Sequence, residues 1–281
     1  MKNFKESFMI FLRGLLMGAA DVIPGVSGGT IALITGIYER LIKAIDDVNR
    51  FVLKDFFHFR LKKAFLNVKK LDFALLVPLL LGIGIAILSL AHLITFLLEE
   101  FVAVTFAFFF GLILASAVFV YKHAGKKHCQ NIPFLFVGLV VGFLLAAPGS
   151  FGTNHSLPII FLSGAIGICA MILPGISGSA ILVLLGQYQF IMESLKSLLF
   201  DKIIVFIFGA VVGILSFSKL LDFLLKRHKG STMAFLTGLM VGSLRRPFDE
   251  IVASSPKVIP VIILGVIGFG VVFVLEKYFS E

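Results

Sequence analysis

Charge is what this sequence has least of: Asp, Glu, Lys and Arg make up 15% of 281 residues, against 59% hydrophobic residues and a mean hydropathy of +1.06. A soluble domain carries about a quarter charged residues, so that class is excluded. Cysteine is nearly absent as well. The two present, Cys129 and Cys169, sit in a basic loop and an apolar run without metal-ligand spacing, which leaves them a packing role. Also missing are HExxH, a Walker lysine motif and any Cys-His metal pattern, so no metal, cofactor or hydrolytic centre is expected. Strictly alternating segments are missing too, which excludes a membrane β-barrel.

What is present is a series of apolar runs approaching the roughly 20 residues a helix needs to cross about 30 Å of hydrocarbon. Lipid offers no partner to a free backbone group, so these runs must be helices. The formal charge of +9 would suggest nucleic acid in a soluble protein. Here the Lys and Arg lie in short loops between apolar runs, where they set orientation and attract anionic lipids. The opening Met1-Lys2-Asn3-Phe4-Lys5 before an apolar stretch could pass for a secretory signal. Arg13 interrupts that stretch and a copy of the following segment recurs mid-chain, so it is read as part of the mature protein.

Residues 11–38, FLRGLLMGAADVIPGVSGGTIALITGIY, align with 161–188, FLSGAIGICAMILPGISGSAILVLLGQY, at an offset of 150 with 11 of 28 positions identical. Composition alone would give about 3. Similarity resumes at an offset of 127, with Gly111 over Gly238, Pro133 over Pro260 and Gly138 over Gly265. The change of offset places a 23-residue insertion at 50–72, whose Phe57, Leu61, Ala64, Phe65 and Val68 alternate with lysines as in a helix lying on a membrane surface.

The chain therefore divides into a first repeat, 1–155, and a second, 156–281. The first holds a hairpin at 8–45 and apolar runs at about 75–98, 104–121 and 131–148; the second holds a hairpin at 158–195 and runs at about 203–225, 231–247 and 258–276. Pro24-Gly25 and Pro174-Gly175 break a helix that Ser27-Gly28 and Ser177-Gly178 restart. If the first hairpin crossed the membrane, Lys2 and Lys5 would lie opposite the basic segment 40–72, against the positive-inside rule. Re-entry keeps both inside and places both termini in the cytoplasm. The weakest loop is 245–257, which this count puts outside despite Arg245 and Arg246. The fold expected is an all-α integral membrane protein with an inverted structural repeat, each half a re-entrant helical hairpin plus three transmembrane helices. Sites of transporters of this kind lie where broken helices of the two halves meet.

A helix beginning after a glycine turn points unpaired N–H groups at its entrance, which favours an anion. The donors expected are Ser27, Gly28, Gly29 and Thr30 in one hairpin and Ser177, Gly178, Ser179 and Ala180 in the other. Charges at membrane depth are functional candidates by default. Arg245 and Arg246 follow an apolar run of only 14 residues, 231–244, and a guanidinium suits bidentate phosphate binding. Arg13 could join them or pair with Asp21; Asp21 and Glu39 are candidates for coupling or gating. Tyr38 and Tyr188 are read as markers of the membrane interface.

The run GAADVIPGVSGGTIALITGIYERLI, residues 18–42, together with ILPGISGSAILVLLGQY, residues 172–188, resembles the paired signatures of a bacterial family, the PopT-type undecaprenyl-phosphate transporters. The resemblance covers essentially the whole chain. It implies a multi-pass protein of the bacterial cytoplasmic membrane that is not an enzyme. It also implies a flippase returning undecaprenyl phosphate, or a related polyprenyl phosphate, from the outer to the inner leaflet for cell-envelope synthesis. Membrane lipids are the other expected partners; nucleic acid is not, and the sequence leaves a homodimer open. A secondary transporter of a small soluble anion is the alternative. An intramembrane lipid phosphatase is weaker: Arg246-Pro247 resembles the phosphatidic-acid type, but its serine-glycine-histidine segment and later histidine are missing.

Overall fold

A computed structural model describes residues 2–21, 27–48, 67–68, 70–122, 128–147, 154–254 and 257–279, and among these every regular element is a helix. The first half contributes α1 (Lys2–Asp21), α2 (Gly28–Ile34), α3 (Tyr38–Val48), α4 (Phe73–Glu100), α5 (Val102–Lys122) and α6 (His128–Leu145). The second contributes α7 (Leu157–Ile172), α8 (Gly178–Leu184), α9 (Tyr188–Lys196), α10 (Phe200–Arg227), α11 (Lys229–Ser243), α12 (Arg245–Ala253) and α13 (Val258–Phe279). The proposed surface helix at 50–72 lies almost wholly outside the described residues.

Among the described residues four helices, α4, α5, α10 and α13, are long and apolar enough to cross a membrane. Their outer faces carry the large apolar side chains that water would not tolerate, among them Leu88, Ile259 and Val266. This is a membrane protein. The apolar parts of α6 and α7 are shorter, at 10–17 residues.

Glycines set the closest helix contacts, and they follow the repeat. Gly14 and Gly82 seat α1 on α4 so closely that a Cβ on either would overlap the facing backbone, and their repeat counterparts Gly164 and Gly209 seat α7 on α10 in the same way. The remaining pairs are exchanged between halves. α5 packs on α13, where a Cβ on Gly111 would overlap the Gly265 carbonyl; α6 packs on α11, where Gly138 and Gly238 approach each other's helices. Each central pair thus takes one helix from each half.

Each hairpin has a long entering arm and a short return arm. α2 folds back on α1, and α8 lies beside α7 with Leu182 and Gly178 both against Gly167. The second arm of each hairpin, seven residues, rises only about 10 Å, so the arms are unequal. The expected helix at 231–247 is two helices. α11 ends at Ser243, and Arg245 and Arg246 open the separate amphipathic helix α12, with Pro247 in its first turn where a missing N–H costs nothing.

Candidate functional site

The two hairpin tips touch each other. Ser27, extended at φ −126°, caps α2 by accepting from the Gly29 N–H at 3.1 Å, and its hydroxyl donates to the Leu173 carbonyl at 3.0 Å. The Thr30 hydroxyl accepts from the Gly175 N–H at 2.9 Å. The carboxylate of Asp21 accepts from the Gly28 N–H at 2.7 Å, and the Thr30 N–H bonds Ser27 O at 2.9 Å. The first-hairpin donors named in the sequence are therefore engaged within the protein, with Asp21 standing where an anion would. Ser27, Gly28, Gly29 and Thr30 are all buried; a Cβ on Gly29 would overlap the Ile172 carbonyl, and one on Gly28 would displace the Asp21 carboxylate.

Gly25-Val26-Ser27-Gly28-Gly29 also spells G-x-S-x-G, the letters of a hydrolase nucleophile elbow, which the repeat reading passes over. The Ser27 hydroxyl is directed at a main-chain carbonyl, not at a base. The letters do not make a nucleophile here.

The second tip is built differently. Gly175 turns the chain at φ +84°, a left-handed conformation that suits glycine, and a Cβ there would come within 2.7 Å of Met240 Cα. The Ser177 hydroxyl pairs with that of Ser179 at 2.8 Å and does not cap α8. Both serines face a cavity of about 270 Å³ whose wall continues through Ala180, Tyr188, Gly142, Leu145, Ser243 and Arg246. Gly178 sits between them and packs on the Gly167 carbonyl. Arg246 reaches the cavity from the first turn of α12, with its guanidinium oriented by Glu250 at 2.8 Å. A guanidinium and two hydroxyls against an otherwise apolar wall can hold a phosphate monoester while leaving an apolar chain outside.

A second cavity, of about 420 Å³, is lined by Leu33, Ile34, Gly36, Tyr38, Glu39, Arg40, Phe119, Val120, Met233 and Glu276. The offsets of 150 and 127 map Leu33 on Val183, Ile34 on Leu184, Tyr38 on Tyr188 and Phe119 on Arg246, each of which lines the first cavity. The two cavities are thus the same place in the two halves. They differ in depth, because the second stops short of Ser27 and Thr30, and in chemistry, because phenylalanine stands where arginine does. Tyr38 does not mark a membrane interface: it is 2% exposed, and its hydroxyl is buried without a hydrogen-bond partner.

The other candidates lie elsewhere. Arg245 turns to the end of α6, donating to the Phe143 carbonyl at 3.2 Å with its guanidinium 4.3 Å from that ring's centre. Arg13 lines neither cavity and sits on α1 within electrostatic reach of Arg40 and Glu6. Glu39 borders the second cavity and pairs at 2.6 Å with Lys229, a partner 190 positions away that no local pattern points to. Arg40 holds Asp72 through two bonds, at 2.7 and 3.0 Å, and that hydrogen-bonded pairing keeps the Asp72 carboxyl below its usual range.

Fold and site define a helical membrane protein with a mostly apolar cavity, bordered by two serine hydroxyls and an arginine, at one broken-helix tip. Within that class, the chain belongs to the undecaprenyl phosphate translocase-like family, which it matches over residues 17–257. It is 41% identical over 242 residues to the polyprenyl-phosphate transporter of Vibrio cholerae serotype O1, covering 85% of this chain and 78% of that one. It is 29% identical to the polyprenyl-phosphate transporter of Staphylococcus aureus over 300 aligned positions, 100% of this chain and 99% of that one. No solved structure matches.

Proposed function

We propose that the protein is a polyprenyl-phosphate transporter that returns undecaprenyl phosphate from the outer to the inner leaflet, without chemical change to the lipid. The observation that carries this reading is the cavity in which Arg246 meets the Ser177 and Ser179 hydroxyls on an apolar wall, in a chain whose relatives are named for that lipid class. The halves are inverted and their hairpins re-entrant, so the two cavities face opposite sides of the membrane. The Arg246 cavity is the outer one and loads the phosphate. The isoprenoid tail stays in lipid while the head crosses between the tips, where Asp21 yields the Gly28 N–H and the first-hairpin donors take over. Glu39 and Lys229 hold the cytoplasmic side shut until then.

Reconstitution in lipid vesicles tests this directly. Wild type is expected to equilibrate undecaprenyl phosphate between leaflets and to leave inorganic phosphate outside. Transport of inorganic phosphate in place of the lipid would favour a small-anion transporter, and release of phosphate from the lipid would make the protein an enzyme.

A further inference from the structure

A buried hydroxyl without a partner costs about as much as a lost hydrogen bond and is retained only where something satisfies it part of the time. Tyr38 carries such a hydroxyl, and the residue borders the larger cavity with the hydroxyl itself sealed from it. Phenylalanine would fill the same space without that cost. Its repeat counterpart, Tyr188, lines the Arg246 cavity and is 37% exposed, so the same side chain borders both cavities, packed away in one and accessible in the other.

The charged groups around the Tyr38 cavity are already balanced or negative. Arg40 is committed to Asp72 and Glu6, and Glu39 is committed to Lys229. Glu276 adds a carboxylate to the lining, and Phe119 stands in the place of Arg246. A phosphate there meets a rim that repels it, and the Tyr38 hydroxyl only when that side chain turns toward the cavity. In the other cavity it meets the Arg246 guanidinium, held by one carboxylate, Glu250, where Arg40 is held by two.

We propose that the Tyr38 cavity is the station from which the lipid phosphate is released, with the Tyr38 hydroxyl as its donor at that stage. The inference rests on the transporter reading above. The strong site captures a scarce lipid, and the weak one lets it go. Such an asymmetry sets how fast each side loads and unloads, while the leaflet concentrations fix the final distribution.

The experiment compares wild type with Tyr38→Phe in three measurements. These are exchange of undecaprenyl phosphate between vesicle leaflets, equilibrium binding of undecaprenyl phosphate to the detergent-solubilised protein, and thermal stability. Removing a hydrogen bond to a charged group slows exchange by about tenfold or more. Binding is expected to stay at the wild-type level, because the accessible cavity is the one at Arg246, and the melting temperature to hold or rise, because an unsatisfied group has gone. Exchange by Tyr38→Phe at the wild-type rate would overturn the proposal, since the hydroxyl would then be idle or satisfied by water. Joint loss of stability, binding and exchange would also overturn it, making Tyr38 a packing residue. Absence of exchange by wild type itself would instead contradict the transporter reading.

Discussion

The two short helices α2 and α8 follow the same Pro-Gly-x-Ser-Gly motif, yet one is sealed and the other open. In the first, Ser27 through Ala32 are all buried and α2 lies against α5, α7 and α13. In the second, Val183 is 48% exposed, Tyr188 is 37% exposed, and α8 packs substantially only on α7 and α9 among the described residues. The helices that follow show the same contrast: α3 packs on α10 of the opposite half, while α9 has no comparable packing on α4. Homologous sequence thus supports two packings within one molecule. If the halves can exchange them, access to the tips passes from one side to the other without any new fold.

The largest effect that would sharpen this comparison is expected at Arg246, the charged residue of the first cavity, whose repeat counterpart in the second is Phe119. Arg246→Ala should slow vesicle exchange of undecaprenyl phosphate by about 10- to 150-fold, the range for a hydrogen bond to a charged group. Arg246→Lys should recover part of it, because the charge returns without the bidentate fork. Alanine at wild-type rates would remove the distinction between the cavities.

Next come the turns. Gly175→Ala should destabilise the protein by about 1–3 kcal/mol from the left-handed backbone alone, and more because its Cβ meets Met240 Cα at 2.7 Å. Gly36→Ala at φ +73° finds open space and should cost only the backbone share, about 1–2 kcal/mol. Thermal unfolding of both variants checks the order; equal losses would show that the second tip is not packed on α11 as described.

A smaller change is expected from Glu39→Gln. The Glu39–Lys229 pair is half exposed on both sides, so breaking it should shift the balance between packings by at most about 1 kcal/mol, or about fivefold in the accessibility of a cysteine placed at Leu33 in the cavity wall. No change in labelling would exclude the pair from holding that side shut.

The smallest concerns pH. The Asp72 carboxyl is held below its usual range by Arg40, so its contribution is complete above the unfolded value near 4 and is lost as pH falls through the lowered folded value. Asp72→Asn should flatten stability in that acid window and lower it at neutral pH by less than about 1 kcal/mol, because the pair is partly exposed. An unaltered acid profile would show that the pair contributes nothing.

Much of the architecture was legible because it is written in glycine and proline. Pro-Gly-x-Ser-Gly twice in register announced two broken helices, and Gly111 over Gly238 with Gly138 over Gly265 marked what became the exchanged helix pairs. The break at Leu244 falls where the apolar run ends, but a span drawn to 247 to reach membrane length ran past it; Pro247 was the available signal, as proline in a first turn marks a helix start. Arg245 and Arg246 looked equivalent in sequence, and only the hundred-degree step of α12 sends one to the cavity and the other to Phe143. Asp21 at Gly28 and Glu39 at Lys229 depend on tertiary contact, which no local pattern encodes. Nor could the repeat reveal which copy is sealed, because that is a choice between packings of nearly the same sequence.

Distances between repeat-related positions test the exchange most directly. Lys43 and Lys226 lie on α3 and α10, and Glu193 and Glu99 are their counterparts on α9 and α4 by the same offsets. With spin labels at each pair, adding undecaprenyl phosphate should populate a state in which the Lys43–Lys226 distance lengthens while the Glu193–Glu99 distance shortens. Two distances that stay fixed, or that change in the same sense, would contradict an exchange of packings between the halves.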